Sequence, residues 1–406
     1  MPAVAQAPFD AAAGNRLAKR NALVLAVGQA LAGGNSTVVT ATGSILGAML
    51  APDKSLATLP LSVVVVGTWV GTLPVGFLVR RFGRRSAYQI GAAVGCLAGL
   101  IGYVAVIEGS FATYLAATFC AGLYQASHLS YRFAAADTAS ADFKGKAVSW
   151  VLAGGLFAAF LGPQLVILTK DLVPPYLFAA SYLGQAATAV CAMLVISLVR
   201  TPRQVAPRPA TAGRSLSEIA RQPRFVVAAT CGVASYALMN LMMTSAPLAM
   251  VDCGHSVDSA ALGIQWHVLA MYAPSFVTGA LVTRYGAAPV VAAGLTLLAV
   301  SAAVGFAGIT VAHFWTALVL LGVGWNFGFV GATTMVLACY RPEERNKVQA
   351  FNDFLIFGTM ALGSFASGAM LAYFGWYLVN LVMLPVVALA GAMLAWLVVR
   401  ERPGLA

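Results

Sequence analysis

Long apolar runs alternate along this chain with short polar turns. Twelve such runs fall near 22–50, 58–79, 86–106, 111–135, 147–169, 176–199, 224–249, 261–282, 289–308, 313–339, 349–372 and 377–399. About 20 apolar residues, rising 1.5 Å each in a helix, span the roughly 30 Å hydrocarbon core of a bilayer. In lipid, every backbone N–H and C=O must find a partner within the protein, and a helix achieves this within one segment. The pattern predicts an all-α integral membrane protein with twelve transmembrane helices.

Composition agrees, since 60% of the 406 residues are hydrophobic and only 9% are charged, against about 25% charged in soluble domains. The 40 glycines suit helices that approach closely in lipid. The charge of +11 takes its meaning from its distribution. If the N-terminal tail is cytoplasmic, 22 of the 24 Lys and Arg residues fall on that side, and only Lys54 and Lys170 fall outside it. Such a bias orients the chain with both termini inside the cell, and it makes the basic residues a topology signal rather than a nucleic-acid footprint. Arg16, Lys19 and Arg20 precede the first run as in a signal peptide, but the run is too long and has no cleavage site, so it reads as an uncleaved span. The six cysteines, Cys96, Cys120, Cys191, Cys231, Cys253 and Cys339, are scattered, five of them in apolar runs. They form no disulfide framework.

The longest polar stretch, 200–223, carries four prolines and reads as a cytoplasmic linker, with a short surface helix expected over Ser215 to Arg221. The expected organisation is a tail at 1–20, a six-helix bundle at 21–199, the linker at 200–223, a second six-helix bundle at 224–399 and a tail at 400–406. The halves also resemble each other. Gly76-Phe-Leu-Val-Arg-Arg-Phe-Gly83 after the second run recurs as Gly279-Ala-Leu-Val-Thr-Arg-Tyr-Gly286 after the eighth, 203 residues later. Duplicated bundles can rock about a site at their interface.

Twelve spans, a 6+6 split, a central linker and the glycine–arginine turn from Gly76 to Arg85 resemble the major facilitator superfamily of secondary transporters. The family's acidic residue in this turn is replaced by Arg80, with Thr283 at the equivalent place in the second half. No ATP-binding motif is present. Acidic residues lie in tails, linkers and loops, apart from Asp353 near the start of the eleventh span. No nucleophile–base set or catalytic carboxylate pair lies in the spans, so no enzyme is expected.

Two pairs in the seventh and eighth spans carry candidate chemistry: Met239 with Met243, and His267 with Met271. Each pair is spaced i, i+4, which places its members one turn apart on a helix. Both pairs lie about eight residues from the outer ends of their spans, about 12 Å deep at 1.5 Å per residue. Cys231 sits two turns further in, Cys253 lies in the connecting loop, and Met242 and Met250 add thioethers. Thioether and imidazole donors suit a soft cation such as Cu(I). Methionine also serves as a filler of helix interiors, so packing is the alternative reading of the same residues.

The M-x-x-x-M and H-x-x-x-M pairs resemble the signature of the CcoA-like branch of the superfamily, bacterial copper importers that supply cbb-type cytochrome c oxidase assembly. The resemblance implies copper ligation by Met239, Met243, His267 and Met271, with Cys231 and Cys253 in redox-linked copper handling. It implies import across the bacterial inner membrane by alternating access. Copper would be the substrate and no cofactor is expected. The expected partners are a cytoplasmic copper chaperone or thiol acceptor and membrane lipid, with no nucleic acid and a monomeric state. The alternative is a transporter of a neutral or weakly charged small organic solute or drug, using Asn35, Gln125, His128, Trp325 and Asn326 around a central cavity.

Overall fold

The computed structural model describes residues 11–137, 141–200 and 213–401. Half of the expected linker (201–212), residues 1–10 of the first tail and 402–406 of the last lie outside them. The described residues are helical almost throughout: α1 Ala11–Leu50, α2 Leu59–Glu108, α3 Phe111–Leu129, α4 Tyr131–Asp137, α5 Ala141–Thr169, α6 Ala179–Ile196, α7 Leu216–Ala220, α8 Pro223–Asp252, α9 Val257–Tyr272, α10 Ser275–Tyr285, α11 Ala287–Ala307, α12 Val311–Leu337 and α13 Arg345–Arg400. Seven described helical segments are long and apolar enough to cross a membrane, and two of these are about twice the length of one crossing.

Single glycines fold those two long segments. Gly83 inside α2 has φ 82°, ψ 166°, and Gly375 inside α13 has φ 73°, ψ −177°. The chain reverses at each, so α2 holds the second and third spans and α13 holds the last two. Gly286, between α10 and α11, has φ 89°, ψ 163°. It is the repeat partner of Gly83, and the two share a backbone region open essentially to glycine alone. The repeated sequence motif is thus a repeated turn. Gly83→Ala is expected to lower stability by about 1–3 kcal/mol, the cost of forcing a side chain into this region. A Cβ there would meet nothing within 4 Å, so the penalty lies in the backbone. Gly279→Ala, four residues into α10 and equally uncrowded, should be neutral or stabilising by up to about 1 kcal/mol, since alanine is the better helix former. Thermal melting in detergent separates the two, and equal melting temperatures would remove the turn argument.

The eighth span is broken where the sequence predicts one run, 261–282. Pro274 ends α9 and starts α10, because proline lacks the N–H that would continue the ladder. The freed Met271 carbonyl accepts from Asn326 Nδ2 at 2.7 Å. Ser275 Oγ accepts from the same amide at 2.7 Å, and Thr278 donates to Asn326 Oδ1 at 2.5 Å. A buried amide on α12 therefore repairs the break, as broken helices in lipid require. The short linker helix appears as α7, capped by Ser215 Oγ accepting from the Glu218 N–H.

Helices α1, α2, α3, α5 and α6 pack with one another, as do α8, α9, α11, α12 and α13. The two bundles meet where α1, α2 and α5 touch α8, α9 and α13. Near the turn at 51–58, buried hydroxyls join the bundles. Ser62 donates to Ser364 Oγ at 2.9 Å, Ser367 donates to Thr58 Oγ1 at 3.0 Å, and Thr58 donates to the Ser364 carbonyl at 3.2 Å. Lys170 reaches Asp258 of the other bundle at 3.5 Å near the same end, and Gln164 donates to Gln265 at 2.8 Å between α5 and α9. Lys54 and Lys170, the two exceptions in the charge distribution, both lie at this end.

Candidate solute-binding site

A cavity of about 1150 Å³, its mouth included, lies between the bundles. Each helix presents one stripe to it. On α8 the stripe is Tyr236, Met239, Asn240, Met243 and Thr244, and on α9 it is Val268, Met271 and Tyr272. Gln29, Gly33, Ser36, Thr37 and Thr40 form the stripe of α1, and Ala121, Gln125, His128 and Leu129 that of α3. These spacings of three and four are the signature of one helix face.

The two walls differ in chemistry. On the C-terminal side, Tyr236 meets Phe329, Trp325 and Phe357 edge-on, at ring separations of 5.1, 5.4 and 5.9 Å. Trp325 and Phe329 lie behind it, stacked at 5.3 Å and 12°, and Tyr272 approaches Trp325 at 6.4 Å. Aromatic pairs in these geometries add about 0.5–1.5 kcal/mol each beyond burial, which holds the wall rigid. On the N-terminal side, His128 sits between Gln29, whose Nε2 lies 3.4 Å from Nδ1, and Ser36, whose Oγ lies 3.1 Å from Nε2. With the amide donating to Nδ1, the ring Nε2–H donates to Ser36, and the neutral imidazole is matched on both sides. Thr68 donates to Gln125 Oε1 at 3.2 Å. Among the described residues, no Asp, Glu, Lys or Arg lines the cavity.

Met239, Met243 and Met271 line this cavity, whereas His267, Cys231 and Cys253 do not. Helix geometry gives the reason. At 3.6 residues per turn, His267 lies roughly 90° from the centre of the α9 stripe, and Cys231 roughly 150° from that of α8. His267 is fully buried against α12, with Nδ1 2.8 Å from the Leu318 carbonyl. The Cys231 thiol faces α13, 3.8 Å from the Ala390 carbonyl. Cys253 caps the end of α8. Among the described residues, no three His, Cys, Asp or Glu side chains converge as a metal site would need.

Of the residues expected around a solute, Gln125 and His128 line the cavity. Asn35 instead pairs with Gln185, donating to its carbonyl at 2.7 Å and accepting from its amide at 3.1 Å. Asn326 serves the break in the eighth span, and Trp325 backs Tyr236. Gln29, Ser36, Tyr236, Asn240, Tyr272 and Phe357 line the cavity beyond the residues expected from sequence. Tyr236 and Asn240 continue the Met239–Met243 stripe at helical spacing, a signal available once that stripe faces a cavity.

Two bundles of spans around a central cavity are the architecture of a membrane transporter. The family model of the Major Facilitator Superfamily matches residues 25–271 and 228–406, and the chain belongs to that superfamily. It is similar to the riboflavin transporter RfnT of Brucella anthropi, 48% identical over 388 residues that cover 95% of this chain and 97% of that protein. It is also similar to YdeG of Bacillus subtilis, an uncharacterized MFS-type transporter, 30% identical over 374 residues that cover 88% and 86% of the two chains. The crystal structure of the nucleoside transporter NupG matches with a TM-score of 0.72 at 14% identity, over 93% of this chain and 99% of that one, a likeness of fold alone.

These findings correct the expectation of copper import. A relative nearly half identical from end to end is a transporter of an organic solute, so copper as substrate and a part in cytochrome oxidase assembly fall away. Two short Met and His pairs in apolar helices recur by chance far more readily than identity sustained along a whole chain. The alternative, a neutral or weakly charged small organic solute, is the better supported one.

Proposed function

We propose that this protein carries riboflavin across the bacterial inner membrane by alternating access of its two bundles, acting as a transporter and not as an enzyme. The observation that carries this reading is the 48% identity to the riboflavin transporter along 95% of the chain. The cavity is compatible with it, because riboflavin is an uncharged molecule with a flat fused ring and a hydroxylated chain. An aromatic wall and a wall of neutral amides and hydroxyls offer it suitable surfaces. We further propose bundles at 21–199 and 224–399 with both termini cytoplasmic, supported by the 22-to-2 partition of basic residues.

The test is growth and uptake in a bacterium that can neither make nor import riboflavin. Expression of this chain should restore growth on micromolar riboflavin and raise [¹⁴C]riboflavin uptake at least about 10-fold over empty vector, since the host offers no other protein route. Uptake at the vector level, with the protein present in the membrane, would rule the reading out.

A further inference from the structure

Resting on the riboflavin reading, we propose that the two bundles recognise different parts of an unphosphorylated flavin. Tyr236, Tyr272 and Phe357 of the C-terminal bundle stack the fused ring, and Gln29, Gln125 and His128 of the N-terminal bundle hold the hydroxylated chain.

The division follows from what each wall offers. The C-terminal wall is aromatic in two layers, with Tyr236 held edge-on by Trp325 and Phe329 at 5.4 and 5.1 Å. A fused heteroaromatic ring is stabilised by such faces, and thioethers pack well at its edges. Met239, Met243, Met271 and Met360 supply those thioethers. Asn240 lines the same wall, 4% exposed, and its Nδ2 has no hydrogen-bond partner. A buried amide donor without a partner is costly, and a ring bearing carbonyls satisfies it. The N-terminal wall carries the hydroxyls and amides of Gln29, Ser36, Thr40, Thr68, Gln125 and His128, which pair readily with a polyhydroxyl chain.

The same lining sets a limit on charge. A phosphate monoester carries about −1.5 to −2 charges near pH 7. Among the described residues no lysine or arginine lines the cavity, and the one histidine there is matched to neutral partners on both nitrogens. A phosphate held among these neutral side chains has no cation in direct contact, which is penalised, Arg132 lying beyond the lining although it acts on Tyr236 and Tyr272. The phosphate ester of riboflavin should therefore be rejected by its chain end, while the bare ring is still accepted.

The experiment uses the full-length protein in proteoliposomes, with [¹⁴C]riboflavin as the carried ligand. The competitors are riboflavin, lumiflavin (the ring with a methyl group in place of the chain) and riboflavin 5′-phosphate. Lumiflavin is expected to compete within about 10-fold of riboflavin, the value of one or two neutral hydrogen bonds. The phosphate ester should be weaker by about 100-fold or more. Tyr236→Leu should weaken riboflavin and lumiflavin by the same factor, about 10-fold as for loss of one stacking ring. Gln125→Leu should weaken riboflavin about 10-fold and leave lumiflavin unchanged. Tyr272→Leu and Gln29→Leu form a second pair if either first variant fails to fold. Equal competition by the phosphate ester, or equal effects of both variants on both ligands, would overturn this inference while the riboflavin reading stands. A parental protein that carries no riboflavin would overturn that reading, and this inference with it.

Discussion

On the proposed riboflavin function, Gly368→Leu should leave a folded protein that binds riboflavin yet moves almost none of it. Gly368 lies on α13 where the bundles touch near 51–58. A Cβ there would sit 2.6 Å from the Ser55 carbonyl oxygen and 2.6 Å from Thr58 Oγ1. One of these is backbone, so the leucine cannot be accommodated by a rotamer change. The contact is bracketed by Ser364 and Ser367, whose hydroxyls bond Ser62 and Thr58 at 2.9 and 3.0 Å. Overpacking of this kind costs about 3 kcal/mol, which depletes the state closed at this end about 100-fold. Alternating access needs that state in every cycle, whereas each bundle folds without it. Uptake should fall to about 1% of the parental rate, with riboflavin binding by fluorescence quenching retained. Gly368→Ala should fall in between. Parental uptake by the leucine variant would show that the bundles do not have to close here during transport.

Glu344→Gln should be among the most destabilising single substitutions outside the spans. The Glu344 side chain has no solvent exposure. Its Oε1 accepts from Arg214 Nε at 2.9 Å and the Arg214 backbone N–H at 2.8 Å, and its Oε2 accepts from Arg214 Nη2 at 2.7 Å and the Arg341 N–H at 2.9 Å. Arg214 Nη2 also donates to the Cys339 carbonyl at 3.1 Å, and Lys347 donates to the Arg214 carbonyl. The chain leaving the central polar stretch is thereby clasped to the turn before α13. Glutamine keeps the shape but turns two donors toward groups that are themselves donors. A fall in melting temperature of roughly 5 °C is expected from breaking such a pair.

The clasp also makes a pH prediction. The hydrogen bonds from the Arg214 guanidinium, and next the Arg341 N–H, hold the Glu344 carboxyl down to about 2 from an ordinary 4.5. A depressed carboxyl contributes its stability in full above the unfolded value and loses it as pH falls toward the folded one. The gap in melting temperature between parent and variant should be constant from pH 7 to about 5 and narrow steadily below 4.5. A gap that ignores pH, or no gap at pH 7, would remove the clasp as a source of stability.

Much of the architecture is legible in the residues themselves. The apolar runs, the basic bias and the repeat of Gly76–Gly83 at Gly279–Gly286 point to twelve spans in two related bundles. They do so because lipid leaves a chain few ways to pair its backbone. The break in the eighth span was not expected, although Pro274 marks its place, and its repair by Asn326 required α12 to lie alongside. The site was legible only in part. Met239, Met243 and Met271 do line the cavity, with Gln125 and His128. His267 and Cys231 do not, since spacing within one helix says which residues share a face and not where that face points.

By itself, then, the sequence determined the membrane class, the number of spans, their duplicated arrangement and the glycine turns, all consequences of local backbone demands in lipid and of residue type. Only the tertiary structure decided which stripes meet at the centre. It set an aromatic wall on one bundle opposite a neutral polar wall on the other, and it turned His267 toward the Leu318 carbonyl and Cys231 toward α13. Those choices depend on the rotation of each helix about its own axis, which is set by packing between spans distant in sequence.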